Sequence, residues 1–236
     1  MGSLAALALA AYVSLPAGHI ASVLARDADR GPTAVAAFAM RERPVTRAEF
    51  AAFLQSHPAW RPGQVPQAFA SAGYLQGDGA ADAPQTSVSW FAAQAYCESE
   101  GARLPTWAEW EYAAAADATR ADARSDPRWL AAILGWYARP ANTPLPAVGG
   151  PPNVYGVRDL HGLIWEWVDD FNSLLVNADS RSADDPDRLK FCGAGALDLQ
   201  DRQNYAVLMR IALLASLGAA DSTASLGFRC AKEIAR

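Results

Sequence analysis

The sequence reads as one domain in which short helices and strand-like stretches alternate with long irregular segments, on three observations. Short helices carry side-chain caps, one stretch alternates like a strand around a buried-looking acid, and two long segments rich in Gly and Pro lack any sustained period. At 236 residues and 51% hydrophobic, the chain can bury one large core. No charge run or low-complexity stretch divides it, so residues 12–236 read as a single domain. A net charge of −5 without clustered Lys and Arg argues against a nucleic-acid footprint. No apolar run reaches the roughly eighteen residues that a membrane span requires.

In chain order, residues 1–11 read as a signal-peptide remnant or an N-terminal extension. Leu4 to Ala11 is apolar and ends in small residues, but it lacks a basic n-region, and Met1-Gly2-Ser3 equally suits an expression scar. Tyr12 to Gly18 reads as a first strand and turn. Thr46 and Glu49 form a capping box that opens a helix from about Arg47 to Ser56, with Phe50, Phe53 and Leu54 on one face. Residues 57–85 read as a long ordered loop where ligand contacts can sit, with His57 at its start as a polar helix end. Ser89 caps a helix bearing Trp90, Ala93, Tyr96 and Cys97, which Gly101 ends. A second capping box, Thr106 with Glu109, starts a helix that turns Trp110, Ala113 and Ala114 inward and fades near Thr119. Residues 120–155, with six prolines, read as irregular chain anchored by Trp129, Trp136 and Tyr137.

The stretch Gly156 to Asp170, GVRDLHGLIWEWVDD, holds the densest chemistry. The alternation Ile164 to Val168 fits a strand only if Glu166, set between Trp165 and Trp167, has a partner, because a buried unpaired carboxylate is costly or stays protonated. A bound cation is the simplest partner. Asp159, Glu166 and carbonyls of the Gly162 turn would make an oxygen-only site of the kind calcium prefers. The alternative is a carboxylate hydrogen-bonded to backbone amides.

Three motifs in order carry a resemblance: VSWFAAQAYCESEGARLPTWAEWEYAA, then NVYGVRDLHGLIWEWVDD, then SLGFRCA at 225–231. The chain resembles the formylglycine-generating-enzyme, or sulfatase-modifying-factor, family from Tyr12 to its end. The resemblance implies a C-type-lectin-like α+β formylglycine-generating-enzyme fold with low regular secondary structure, usually exported and stabilised by calcium. It puts calcium ligands at Asp159, Gly162, Ile164 and Glu166, although Leu163 stands where the family often has Asn. It also implies a disulfide between Cys97 and Cys230, hence an oxidising compartment, periplasmic or extracellular; two buried thiols are the alternative.

The departure lies in Leu189 to Arg210. Formylglycine-generating enzymes resembling this chain use two cysteines, five residues apart, to bind copper(I). Counted back without gaps from Gly227-Phe228-Arg229, those positions fall on Asp201 and Ala206. Copper(I) needs soft thiolates, so oxidation of a substrate cysteine by that mechanism is not expected. The segment offers Cys192, Asp198, Asp201, Arg202, Asn204, Tyr205 and Arg210 as candidate groove residues. Its form resembles the branch found beside copper-containing nitrite reductases. The expectation is an accessory or maturation protein that holds a partner polypeptide, such as a copper enzyme, or a metal centre. The alternatives are an oxidoreductase with copper or iron at Cys192, Asp198, Asp201 or Tyr205, and a lectin-like ligand-binding module. The iron-dependent sulfoxide synthases also resemble this domain, but His19, His57 and His161 are spread along the chain and no added helical domain is present to complete their triad.

Overall fold

A computed structural model describes residues 11–21, 31–137, 144–174 and 205–234. Strands β1 (Tyr12–Leu15), β4 (Phe38–Arg41) and β7 (Ala231–Glu233) form an antiparallel sheet in the order β1-β4-β7. Val13 faces Met40 across the first pair, and Met40 faces Ala231 across the second. Strand β2 (Gly18–Ile20) pairs antiparallel with β3 (Thr33–Val35). The expected strand around Glu166 is confined to β5 (Trp165–Glu166), which runs parallel to β6 (Leu226–Gly227).

The capped helices form where their caps predict. Helix α1 (Arg47–Ser56) has its capping box: Glu49 N–H donates to Thr46 Oγ1 at 3.3 Å, and Thr46 N–H donates to Glu49 Oε2 at 2.8 Å. Glu49 is buried beside Arg41 at 2.7 Å. Burial alone would raise its carboxyl pKa, but Arg41, the Thr46 amide and Arg43 together hold it below the ordinary value. Helix α2 (Trp90–Ser99) is capped by Ser89, and α3 (Trp107–Ala114) by Thr106 with Glu109. Asp170 adds a second acid at the α3 entrance by accepting from Trp107 N–H at 2.7 Å. Helix α3 ends at Ala114, sooner than the expected Thr119, because the Asp117 carboxylate gathers the Thr119 and Arg120 amides into a turn.

Residues 57–85 hold only a short 3-10 turn (Pro58–Trp60), and the loop is tied back to α1 through Arg47 N–H to the Ala83 carbonyl and Ala48 N–H to the Ala81 carbonyl. Helix α4 (Pro127–Tyr137) corrects the irregular reading of residues 120–155. Pro127 opens that helix, where its missing N–H costs nothing, and Asp126 accepts from Arg128 N–H at 2.8 Å. Helix α5 (Tyr205–Ala215) begins in the last six residues of the Leu189 to Arg210 segment read as a groove, runs beyond it, and buries Ala206, Val207, Ile211 and Leu214.

The core runs from Leu15 and Met40 through Phe50, Trp110, Trp167 and Ile211 to Phe228. Cys97 and Cys230 are joined, as the resemblance implies, with Cα atoms 5.4 Å apart and 133 residues between them in sequence. The bond fixes α2 to the residue that leads into β7.

Candidate functional site

Glu166 sits at the centre of a buried polar ladder that spans α3, β5, α5 and the segment after β6. Its Oε2 accepts from Trp110 Nε1 at 2.8 Å and from Arg229 Nε at 2.7 Å, while its Oε1 accepts from Arg229 Nη2 at 2.7 Å. Both side chains of the Glu166–Arg229 pair are fully buried. The face of the Trp110 ring lies 4.7 Å from the Arg210 guanidinium carbon, and Arg210 is itself bidentate on Glu111 through Nε at 2.8 Å and Nη2 at 2.9 Å. Two opposite-charge pairs are thus joined through one indole. Burial pushes the Glu111 carboxyl up from its ordinary value, and Arg210 opposes that rise.

Local sequence explains the closeness of the layers. A Cβ on Gly227 would stand 2.3 Å from the Gln85 carbonyl oxygen and 2.7 Å from Ile164 Cδ1, so only glycine lets β6 approach β5. Trp165 N–H donates to the Ser225 carbonyl and Trp167 N–H to that of Gly227, which carries the pairing past Glu166. Arg229, two residues beyond Gly227, therefore lies beside the acid.

His161 belongs to the same region. Its Nε2 donates to the Ala114 carbonyl at 2.7 Å, and its Nδ1 is shielded from solvent without a hydrogen-bond partner. The ring meets Trp110 and Trp129 edge to face. Desolvation first, then the positive charge of Arg210, depresses its pKa to about 3, so the imidazole is neutral at any ordinary pH. A cavity of about 210 Å³ opens beside it, lined among others by Asp117, Asn153 and Asp159. Two of the polar side chains there already have protein partners: Asn153 Oδ1 accepts from the Tyr155 and Val157 amides, and Asp117 is occupied by its own turn and Arg120.

The residues expected to hold calcium are distributed as follows. Asp159 adopts a left-handed backbone at φ 59°, and its carboxylate accepts from the Gly149 and Gly150 amides at 2.7 and 2.9 Å. Gly162 turns the chain at φ 93°, and Ile164 is buried in the core. Glu166 has Arg229 as its partner, a cation built into the chain. A calcium ion takes six to eight oxygen ligands without competing cations. A carboxylate that already accepts three N–H bonds, two of them from a guanidinium, does not fit that donor set.

Among the groove candidates, Cys192, Asp198, Asp201, Arg202 and Asn204 lie outside the described residues. Tyr205 is the first residue of α5, with its side chain outside the description, and Arg210 is the partner of Glu111. Ala206, one of the two positions counted for the family's cysteines, is buried in α5. Sequence reasoning missed Arg229, Trp110 and Glu111 as parts of one arrangement. The only signal was the need of Glu166 for a cation.

The sulfatase-modifying factor enzyme 1-like domain model matches residues 3–234. The formylglycine-generating enzyme of Streptomyces coelicolor is 33% identical over 169 residues, covering 64% of this chain and 52% of that protein. The inactive C-alpha-formylglycine-generating enzyme 2 of Bos taurus is 31% identical over 171 residues, covering 65% of this chain and 51% of that protein. The chain spans about half the length of these curated relatives. The structure of PvdO from Pseudomonas aeruginosa superposes with a TM-score of 0.51 at 18% identity over 94% of each chain, a likeness of fold alone. With the fold, the disulfide and a family match over nearly its whole length, the chain belongs to the sulfatase-modifying factor enzyme 1-like, or formylglycine-generating-enzyme-like, family.

Proposed function

We propose that this chain is an exported accessory or maturation protein that holds a partner polypeptide, or a metal centre on it, in the groove that its catalytic relatives use for substrate. One observation carries this reading. Of three cysteines, two are consumed by the Cys97–Cys230 bond, so a single thiol, Cys192, remains. A copper(I) site built from two thiolates of one chain cannot be assembled from one. The disulfide also supports an oxidising compartment such as the periplasm. Among the described residues no helix is long and apolar enough to cross a membrane. A relative of comparable identity is itself described as inactive.

The partner we assign is a copper enzyme of the nitrite reductase kind, on the resemblance of the Leu189 to Arg210 block to the branch found beside such enzymes. The test is to produce a copper nitrite reductase with and without this chain and to measure copper per reductase by elemental analysis. Higher copper occupancy in the presence of the chain, with co-purification of the two, is the expected result. Equal occupancy and no co-purification overturn it. Copper or iron bound by this chain alone and lost in Cys192→Ala would instead favour an oxidoreductase with a rebuilt metal site, and saturable binding of a glycan with neither effect would favour a lectin-like module.

A further inference from the structure

We infer that Arg229 is the cation of the Asp159–Glu166 loop, and that this chain holds its fold without calcium at Glu166. The inference is independent of the partner reading above. Both oxygens of Glu166 are committed, Oε1 to Arg229 Nη2 and Oε2 to Arg229 Nε and Trp110 Nε1, at 2.7 to 2.8 Å. The fork-to-fork geometry is the strongest form of an arginine–carboxylate pair, and it leaves the carboxylate neutralised. Arg229 has no room to swing aside: Phe228 and Cys230 on either side are fully buried, Cys230 is bonded to Cys97, and Gly227 is pressed against Gln85 and Ile164. A divalent ion on Glu166 would sit against a guanidinium that cannot leave. The second acid of the loop is also satisfied, since Asp159 accepts two backbone amides from Gly149 and Gly150. The loop thus replaces an exchangeable ion with a side chain delivered from 63 residues away in sequence.

The experiment uses the full chain, purified in calcium-containing buffer and then dialysed with or without excess EDTA. Calcium is counted by elemental analysis and the melting temperature is followed by tryptophan fluorescence. The expected result is calcium far below one per chain and the same Tm in EDTA and in calcium chloride. Near-stoichiometric calcium that EDTA removes, with a fall in Tm, would overturn the inference. Glu166→Gln supplies a second readout. If Arg229 is the partner, the gap in Tm between wild type and variant is equal in calcium and in EDTA; if calcium is the partner, EDTA closes the gap. The wild-type comparison decides alone where the variant does not fold.

Discussion

Replacing Cys97 and Cys230 together by alanine removes the one covalent cross-link and tests how far the fold depends on it. The bond closes a loop of 133 residues. In the chain-entropy model a loop of that length constrains the unfolded state by about 5 kcal/mol, against a total stability of about 5–15 kcal/mol for a typical domain. Both cysteines are fully buried, so alanine rather than serine avoids stranding a hydroxyl in the core. The assay is urea unfolding followed by tryptophan fluorescence, which the buried Trp107, Trp110 and Trp167 report. Thiol counting on the unfolded, unreduced wild type serves as the control and should give one free thiol per chain. The expected outcome is a loss of about 4–5 kcal/mol, with a steeper m value because the uncrosslinked chain exposes more surface. An unchanged urea midpoint in the double variant, or three free thiols in the wild type, would refute the reasoning.

Three further outcomes follow from the ladder and its surroundings. His161 is neutral in the fold with a pKa near 3, below its unfolded value of about 6.5, so the unfolded chain takes up a proton that the native state refuses. Stability therefore falls as pH drops through that window, by about 2 kcal/mol between pH 7 and pH 5, and His161→Gln removes that part of the slope in urea titrations. Arg210→Met leaves Glu111 buried without its partner and should cost about 3–5 kcal/mol; adding Glu111→Gln should recover part of the loss, as a double-mutant cycle would register. Gly227→Ala forces a Cβ within 2.3 Å of the Gln85 carbonyl and should cost about 3 kcal/mol, the upper end for overpacking, in thermal or urea melts.

What was legible in the sequence was local. Thr46 with Glu49, Ser89, and Thr106 with Glu109 each state a helix start within four residues, and each cap forms as read. Helix α4 is hard to read because residues 120–155 carry six prolines, although the one inside the helix, Pro127, occupies the first helical position, where proline is favourable. Helix α5 starts inside the Leu189 to Arg210 segment, whose polar residues suggest groove chemistry, yet Val207, Ile211 and Leu214 follow helical spacing and are buried. The demand of Glu166 for a partner was legible from its setting between two tryptophans. The identity of the partner was not, because Arg229 reaches it only through the parallel pairing of β5 with β6, a long-range contact that no local pattern encodes. The setting of His161 is likewise not legible locally, because its contact with Ala114 depends on where α3 ends.

We propose that this member of the formylglycine-generating-enzyme-like family, with one cysteine outside its disulfide, does not oxidise a substrate cysteine by the two-thiolate copper route. The most direct test incubates the purified protein with copper(I), oxygen and reductant and a cysteine-containing peptide of the sulfatase type, then reads the peptide by mass spectrometry. The account predicts that the peptide cysteine stays unconverted at the level of a copper-only blank. Formylglycine formed above that blank would contradict it.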